Sequence, residues 1–425
     1  MIVPPVPTDL TPLPHPYNEP ATKGDSPMDL NFTPEERAFR EEARTFFNTA
    51  IPEAIRTKVA EGEGLTRDDL VTSQRILNQH GWATVNWPKE WGGQDWSPVQ
   101  VYLYQDEMQQ ANVPAPIPFN VSMVGPVIAQ FGSQEIKQRF LPATANADIF
   151  WCQGFSEPGS GSDLASLRTK AERKGDKYIV NGQKTWTTLA QYANWIFCLV
   201  RTDPAAKSQE GISFLLIDMK SPGITVRPIV TIDGGREVNE VFFDDVEVPV
   251  ENLVGVENKG WDYAKFLLGN ERTGIARVGA SKAKIARIKQ LAALEFAGET
   301  PLIESPRFLE KLAAVEVELK ALEMTQLRVV SDERKRAKGG QNPASSILKL
   351  KGSVIQQQLT ELLMDVVGPF ALPYQRDFDG KNEPIVGPEY ATEAAPMYFN
   401  YRKVSIYGGS NEIQRNIIAK AILGL

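Results

Sequence analysis

The apolar and polar positions divide the chain into stretches of different period. From Thr33-Pro-Glu-Glu, where Thr33 can cap a helix and Pro34 takes its first position, apolar residues recur at helical spacing through Phe39, Ala43 and Phe46-Phe47. Helical periods continue to about residue 148, broken by the turn-rich runs Trp87-Pro-Lys-Glu-Trp-Gly-Gly93 and Pro114-Ala-Pro-Ile-Pro118. Those tryptophans and glycines suit either a ligand wall or packing corners between helices. Between about 150 and 250 the pattern alternates. Lys177-Tyr-Ile-Val180 and Gln183-Lys-Thr-Trp-Thr-Thr188 predict a hairpin turning at Asn181-Gly182, and the runs 194–200, 212–217, 224–228 and 240–243 predict further strands. From Asn258 long helical patterns return, broken at 298–306, 339–343 and 369–396. The fold class expected is α+β: an N-terminal helical domain over 28–148, a central antiparallel β-barrel or sandwich over 149–255, and a C-terminal four-helix bundle over 256–425. Residues 1–27 carry eight prolines and almost no aliphatic periodicity, which predicts a disordered extension.

Composition narrows the partners. A net charge of −7 without a basic block excludes a nucleic-acid surface, and no run reaches the roughly 20 apolar residues of a membrane span. Without a signal or arginine-rich transit pattern, the cytoplasm is the expected compartment. Cys152 and Cys198 stand in apolar strand-like runs and read as small buried hydrophobes, so neither a disulfide framework nor a metal site is expected. His15 lies in the proline-rich stretch, leaving His80 as the one imidazole of the folded part. If the chain moves protons, its base is therefore expected to be a carboxylate.

Three runs carry candidate chemistry. Ser156-Glu-Pro-Gly-Ser-Gly-Ser-Asp163 is either an ordinary loop or a turn whose N–H groups cradle phosphate, and its spacing is not that of a dinucleotide fingerprint. Glycines 408 and 409 permit a tight turn that brings an N–H close to a ligand. Phe266-Leu-Leu-Gly-Asn-Glu-Arg-Thr-Gly-Ile-Ala-Arg277 sets Glu271 in a long helical pattern beside Arg272, as a solvated pair or as a base.

Together with Lys184-Thr-Trp-Thr-Thr188 and Tyr401-Arg-Lys-Val-Ser-Ile-Tyr-Gly-Gly-Ser-Asn-Glu-Ile-Gln-Arg415, these runs resemble the acyl-CoA dehydrogenase family of flavoenzymes over nearly everything after residue 27. The resemblance implies the family's three-part fold and an FAD cofactor. It places Gln153, Phe155, Ser156, Gly161, Ser162, Trp186, Thr188, Ser410 and Glu412 at the cofactor. Phe155 and Ser156 would lie against the isoalloxazine, Trp186 would pack on it and Thr188 would approach N5, although Trp186 read alone is a core aromatic on a strand. Ser162, Arg272 and Tyr407 would meet the acyl-CoA substrate. The reaction so implied removes an α-proton with a carboxylate while a β-hydride passes to flavin N5. The enolate oxygen is held by a ribityl hydroxyl and one backbone N–H, here that of Gly408. Many members carry the base between the Tyr and the Gly of the terminal motif, where this chain has Gly408; a subset carries it just before an arginine after the β domain, as in Glu271-Arg272.

One departure bears on partners. Homotetrameric members complete each FAD site with an Arg-x-x-Phe-Gly motif and a later Gln and glycines from a neighbouring subunit. This chain reads Ile285-Ala-Arg-Ile-Lys-Gln-Leu-Ala-Ala293 and Met364-Asp-Val-Val-Gly-Pro369 there. Asp365 near a pyrophosphate is unfavourable, and Pro369 lacks an amide donor. The expected assembly is therefore an α2β2 heterotetramer with a second, related subunit, a homotetramer being the alternative. The resemblance extends to large subunits of the two-subunit pimeloyl-CoA dehydrogenase branch, implying a medium-chain dicarboxylyl-CoA substrate and electron-transfer flavoprotein as acceptor. Steroid side-chain acyl-CoA dehydrogenation, a non-catalytic subunit, and an oxidase or monooxygenase on the same fold are the other readings.

Overall fold

Thr33 starts the first helix as its side chain dictates. Its hydroxyl accepts from the Glu36 N–H at 3.2 Å, and the Glu36 carboxylate accepts from the Thr33 N–H at 3.0 Å. The computed structural model describes residues 31–270, 276–333, 343–375, 382 and 384–425; the proline-rich stretch 1–27 and the pair Glu271-Arg272 lie outside them. The N-terminal helices are α1 (Pro34–Ala50), α2 (Glu53–Glu61), α3 (Arg67–Gln79), α4 (Pro98–Gln110), α5 (Gly125–Phe131) and α6 (Gln134–Ala145). The break at 87–93 is a packing corner: Trp87 is buried, donates its indole N–H to Val121 O at 2.7 Å, and lies where a Cβ on Gly125 would come within 2.0 Å. His80 ends α3 and stacks on Phe46 at 4.0 Å, a packing role.

The central strands are β1 (Trp151–Gly154), β2 (Lys170–Lys174), β3 (Lys177–Thr188), β4 (Trp195–Arg201), β5 (Ile212–Asp218), β6 (Ile224–Ile229) and β7 (Val238–Pro249). They form one curled sheet in which β5 takes one edge of β4, while β1 and β2 share the other, running parallel to it; β3, β7 and β6 follow antiparallel. β4 reads as an unbroken apolar run because both its faces are covered. Phe197 and Leu199 meet the helices, whereas Ile196, Cys198 and Val200 fill the inside of the curl with Cys152. Burial raises both thiols, Cys198 to about 11, as inert core residues.

The expected hairpin at Asn181-Gly182 is corrected. β3 runs straight through it, and the turn lies earlier at Gly175-Asp176, joining β2 to β3. Asn181 exchanges hydrogen bonds with Asp245 on β7 at a register shift, and a Cβ on Gly182 would stand 2.6 Å from the Thr169 hydroxyl. Asparagine and glycine mark a bulge and a close backbone approach here.

The C-terminal helices are α7 (Gly260–Asn270), α8 (Val278–Leu294), α9 (Pro306–Glu333), α10 (Ser345–Val367), α11 (Ala394–Asn400) and α12 (Asn411–Ile418). The single helical pattern through 260–294 is broken: Arg277 is left-handed at φ +50°, and α7 packs Tyr263 and Leu267 against α5 and the sheet rather than joining α8. α8, α9 and α10 share a core of Ile288, Leu312, Leu319, Ile355 and Leu359. α4 crosses onto this bundle, where buried Asp106 meets Lys282 at 3.1 Å. Among the described residues no helix is long and apolar enough to cross a membrane.

Candidate functional site

The loop after β1 is fixed by a buried ion pair. Lys184 on β3 is fully buried; its Nζ donates to Glu157 Oε1 at 2.8 Å and to Phe155 O at 3.1 Å. Glu157 also accepts from the N–H groups of Arg168 at 2.7 Å and Thr169 at 2.9 Å. Burial alone would raise this carboxyl, but the Lys184 ammonium and these donors outweigh it and hold Glu157 below the usual carboxylate range. Glu157 and Ser160 exchange two backbone hydrogen bonds of 3.0 Å, so those N–H groups close the turn instead of facing a ligand. Gly161, Ser162 and Asp163 stand exposed just after it.

One residue beyond Lys184 the strand breaks register. Thr185 donates its N–H to Ser156 O at 2.9 Å, and pairing with β7 passes from Lys184–Val241 to Thr187–Asn239, leaving Thr185 and Trp186 in a bulge. Trp186 is left-handed at φ +56° and 60% exposed beside this loop. A non-glycine residue held there costs on the order of 1–3 kcal/mol, which the surrounding contacts must over-determine. The core-aromatic reading of Trp186 is thereby excluded. Phe155, by contrast, is buried, edge-on to Phe197 at 5.8 Å and Phe214 at 6.3 Å. Gln153 is half-buried on β1 beside Phe197, and Ser156 and Thr188 are half-buried.

A chain of contacts brings the terminal motif to the same strand end. Leu189 donates its N–H to Glu237 O at 2.7 Å; the Glu237 carboxylate accepts from Asn400 at 3.0 Å and pairs with Lys403. Tyr407 N–H returns to Lys403 O at 3.2 Å, and the left-handed Gly408 (φ +66°) and Gly409 (φ +81°) follow. Ser410 caps α12, its hydroxyl accepting from the Ile413 N–H. Glu412 is exposed in the first turn of α12, 3.6 Å from Arg415, and Tyr407 is 46% exposed.

The segment holding Glu271 is described at its flanks. α7 ends at Asn270, and Ala276 reseats against α10, where a Cβ on Gly352 would lie 2.8 Å from its carbonyl. Asn411, at the start of α12, bonds Lys349 and Ser353 on that same turn of α10. The two segments that the sequence singled out for proton removal and enolate binding therefore converge on residues 349–353.

Sequence reading gave no role to Glu157, Lys184, Lys349, Asn411 or Gln414. The available signal was Lys349, an ionisable residue at a core position of the helical period that includes Leu348, Gly352 and Ile355. The suspected half-site also differs from expectation in charge: Asp365 is paired with Lys311 at 2.7 Å.

Family models match the chain in three consecutive pieces: acyl-CoA dehydrogenase N-terminal domain over 33–148, middle domain over 152–246 and C-terminal domain over 258–423. The chain belongs to the acyl-CoA dehydrogenase family. As such it is an oxidoreductase acting on CH–CH donors, and the family takes a flavin. This acyl-CoA dehydrogenase is 37% identical to acyl-CoA dehydrogenase IpdE1 of Mycobacterium tuberculosis, over 83% of this chain and 88% of that one. It is 34% identical to FadE26 of the same organism, over 94% and 99%. Among solved structures, the ChsE4-ChsE5 complex from M. tuberculosis matches with TM-score 0.78 and 32% identity, covering 94% of this chain and 99% of that one. The Tcur3481-Tcur3483 steroid ACAD matches with TM-score 0.79 and 29% identity, over the same shares.

The exposed left-handed Trp186 beside a pinned loop fits a planar aromatic group, and Ser156, Ser162 and Thr188, each at least partly exposed, offer hydroxyls on the same two segments.

Proposed function

We propose that the chain is the base-bearing large subunit of a two-subunit, FAD-dependent acyl-CoA dehydrogenase that converts an acyl-CoA to its trans-2-enoyl-CoA and passes electrons to an electron-transfer flavoprotein. The single observation that carries the flavin assignment is the bulge that turns Trp186 outward next to Phe155-Ser156. Gln153, Phe155, Ser156, Gly161, Ser162, Trp186, Thr188, Ser410 and Glu412 would hold FAD, which when bound supplies the acceptor for the β-hydride. Glu271 takes the α-proton. Gly408 N–H donates to the thioester carbonyl as charge develops on it, and Ser162, Arg272 and Tyr407 orient the acyl-CoA.

Gly408 itself supports placing the base elsewhere. Its φ of +66° lies where a side chain costs roughly 1–2 kcal/mol, so a glutamate in this turn would be strained. The acyl group is assigned to the steroid-derived class, because a 29% identical solved relative is a steroid ACAD. Medium-chain dicarboxylyl-CoA, which rests on the resemblance of the sequence motifs alone, is the second reading.

Two solved relatives are complexes of two named chains, which with the departures from the family motif at 285–293 and the missing amide donor at Pro369 supports an α2β2 assembly. Expressed alone, the chain should retain little FAD; co-expressed with an acyl-CoA-dehydrogenase-like partner, it should yield a yellow complex with fewer flavins than chains. Absorbance and native mass of both preparations check this. One FAD per chain in the single-chain preparation would overturn the shared site.

A further inference from the structure

Lys349 has no part in the chemistry above, yet it is 1% exposed near the start of α10, at a position where apolar packing would be satisfied by methionine or leucine. Its ammonium donates to Asn411 Oδ1 at 2.9 Å. The Asn411 amide in turn donates to Ser353 Oγ at 3.0 Å, tying the first residue of α12 to α10. From the next turn of α12, the buried Gln414 amide donates to the carbonyls of Gly408 at 3.2 Å and Gly409 at 3.3 Å. Two consecutive left-handed glycines have little rigidity of their own. Their carbonyls are gripped by α12, and α12 is gripped at its first residue by Lys349.

We propose that Lys349 is a positioning residue: through Asn411 it seats the start of α12 on α10 and so holds the Gly408-Gly409 turn in place. The choice of lysine follows from bond strength. A hydrogen bond from an ammonium is about twice as strong as a neutral one, and Lys349 is buried, where the lower local dielectric strengthens the bond further. The proposal rests on the reading of Gly408 N–H as the donor to the thioester carbonyl, since a displaced turn would then lose rate in the transition state rather than substrate affinity.

The test uses the full-length flavin-loaded protein, with its partner subunit if the flavin requires one, and the variants Lys349→Met, Asn411→Leu and the double variant. Amide hydrogen–deuterium exchange over residues 404–414 should quicken in Lys349→Met, while 278–294 on α8 is unchanged. kcat should fall roughly ten- to a hundredfold with KM within about twofold, and the double variant should lose no more than the larger single loss. If Lys349→Met does not fold, Asn411→Leu alone should show the same local loosening and the same kcat effect. Unchanged exchange over 404–414, or losses that add in the double variant, would overturn the proposal. Faster exchange with an unchanged kcat would leave the clamp standing and instead refute Gly408 as the thioester donor.

Discussion

Replacing Glu271 by Gln in the flavin-loaded protein should cut the rate of flavin bleaching by substrate about a thousandfold or more, at the upper end of the 10²–10⁴ range for loss of a positioned general base. Acyl-CoA affinity should change little, because glutamine keeps the size and the polar contacts of the side chain and removes only its basicity. The expectation has three supports. The left-handed Gly408 turn disfavours a carboxylate at the terminal-motif position. Among the described residues the imidazole of His80 is committed to a stack on Phe46, far in sequence and packing from the motif pair. Of the flanks of the Glu271 segment, Asn270 ends the sheet-facing α7 and Ala276 packs against the turn of α10 to which Asn411 of α12 is bonded. Rapid-mixing absorbance under anaerobic conditions, beside a titration of bound acyl-CoA, separates rate from affinity. Wild-type bleaching rates in the variant would remove Glu271 from the mechanism and leave the non-catalytic subunit as the better reading.

What the sequence discloses here follows from the range of the interaction involved. The Thr33-Pro34-Glu36 start of α1 is local and was legible, since every atom of the capping box lies within four residues. β4 and its neighbour β5 were legible from their apolar runs, although β1 and β2 on the other edge of β4 were not. β1 is four residues long and joins the sheet by parallel pairing to β4, which no local pattern encodes; β2 reads Lys-Ala-Glu-Arg-Lys with one buried side chain, too polar to stand out as a strand although it pairs locally with β3. Asn181-Gly182 misled because the same dipeptide serves a hairpin turn or a bulge, and the partner that decides between them, Asp245, lies 64 residues away. The flavin-side motif residues were named from resemblance; the reason they come together, Lys184 reaching 27 residues back to Glu157, becomes visible only in three dimensions.

That ion pair sets the second large effect. Lys184→Met should destabilise the protein by roughly 3–5 kcal/mol, the cost of breaking a buried pair by removing one member, because Glu157 is left charged and buried with only two backbone N–H partners. The double variant Glu157→Gln/Lys184→Met should recover part of the loss, since a neutral amide can still accept from Arg168 and Thr169 and no uncompensated charge remains. The pH dependence follows from the depressed Glu157 carboxyl. Its stabilising contribution is present above the unfolded carboxyl pKa of about 4.3 and is lost as pH falls through the lower folded value, so the gap between wild type and Lys184→Met should be widest near neutrality and narrow below about pH 4. Urea midpoints across pH check both the size and the sign. The functional consequence is local as well: without the ammonium, Phe155 O and Glu157 lose their common anchor, the loop keeps only the Thr185–Ser156 backbone bond to the bulge, and Trp186 has less to keep it left-handed. Flavin should therefore dissociate from Lys184→Met at urea concentrations well below those that unfold the helices, seen as free-flavin fluorescence preceding the loss of far-ultraviolet dichroism. Coincident loss of flavin and helix would mean that the pair supports the fold as a whole and has no particular hold on the loop.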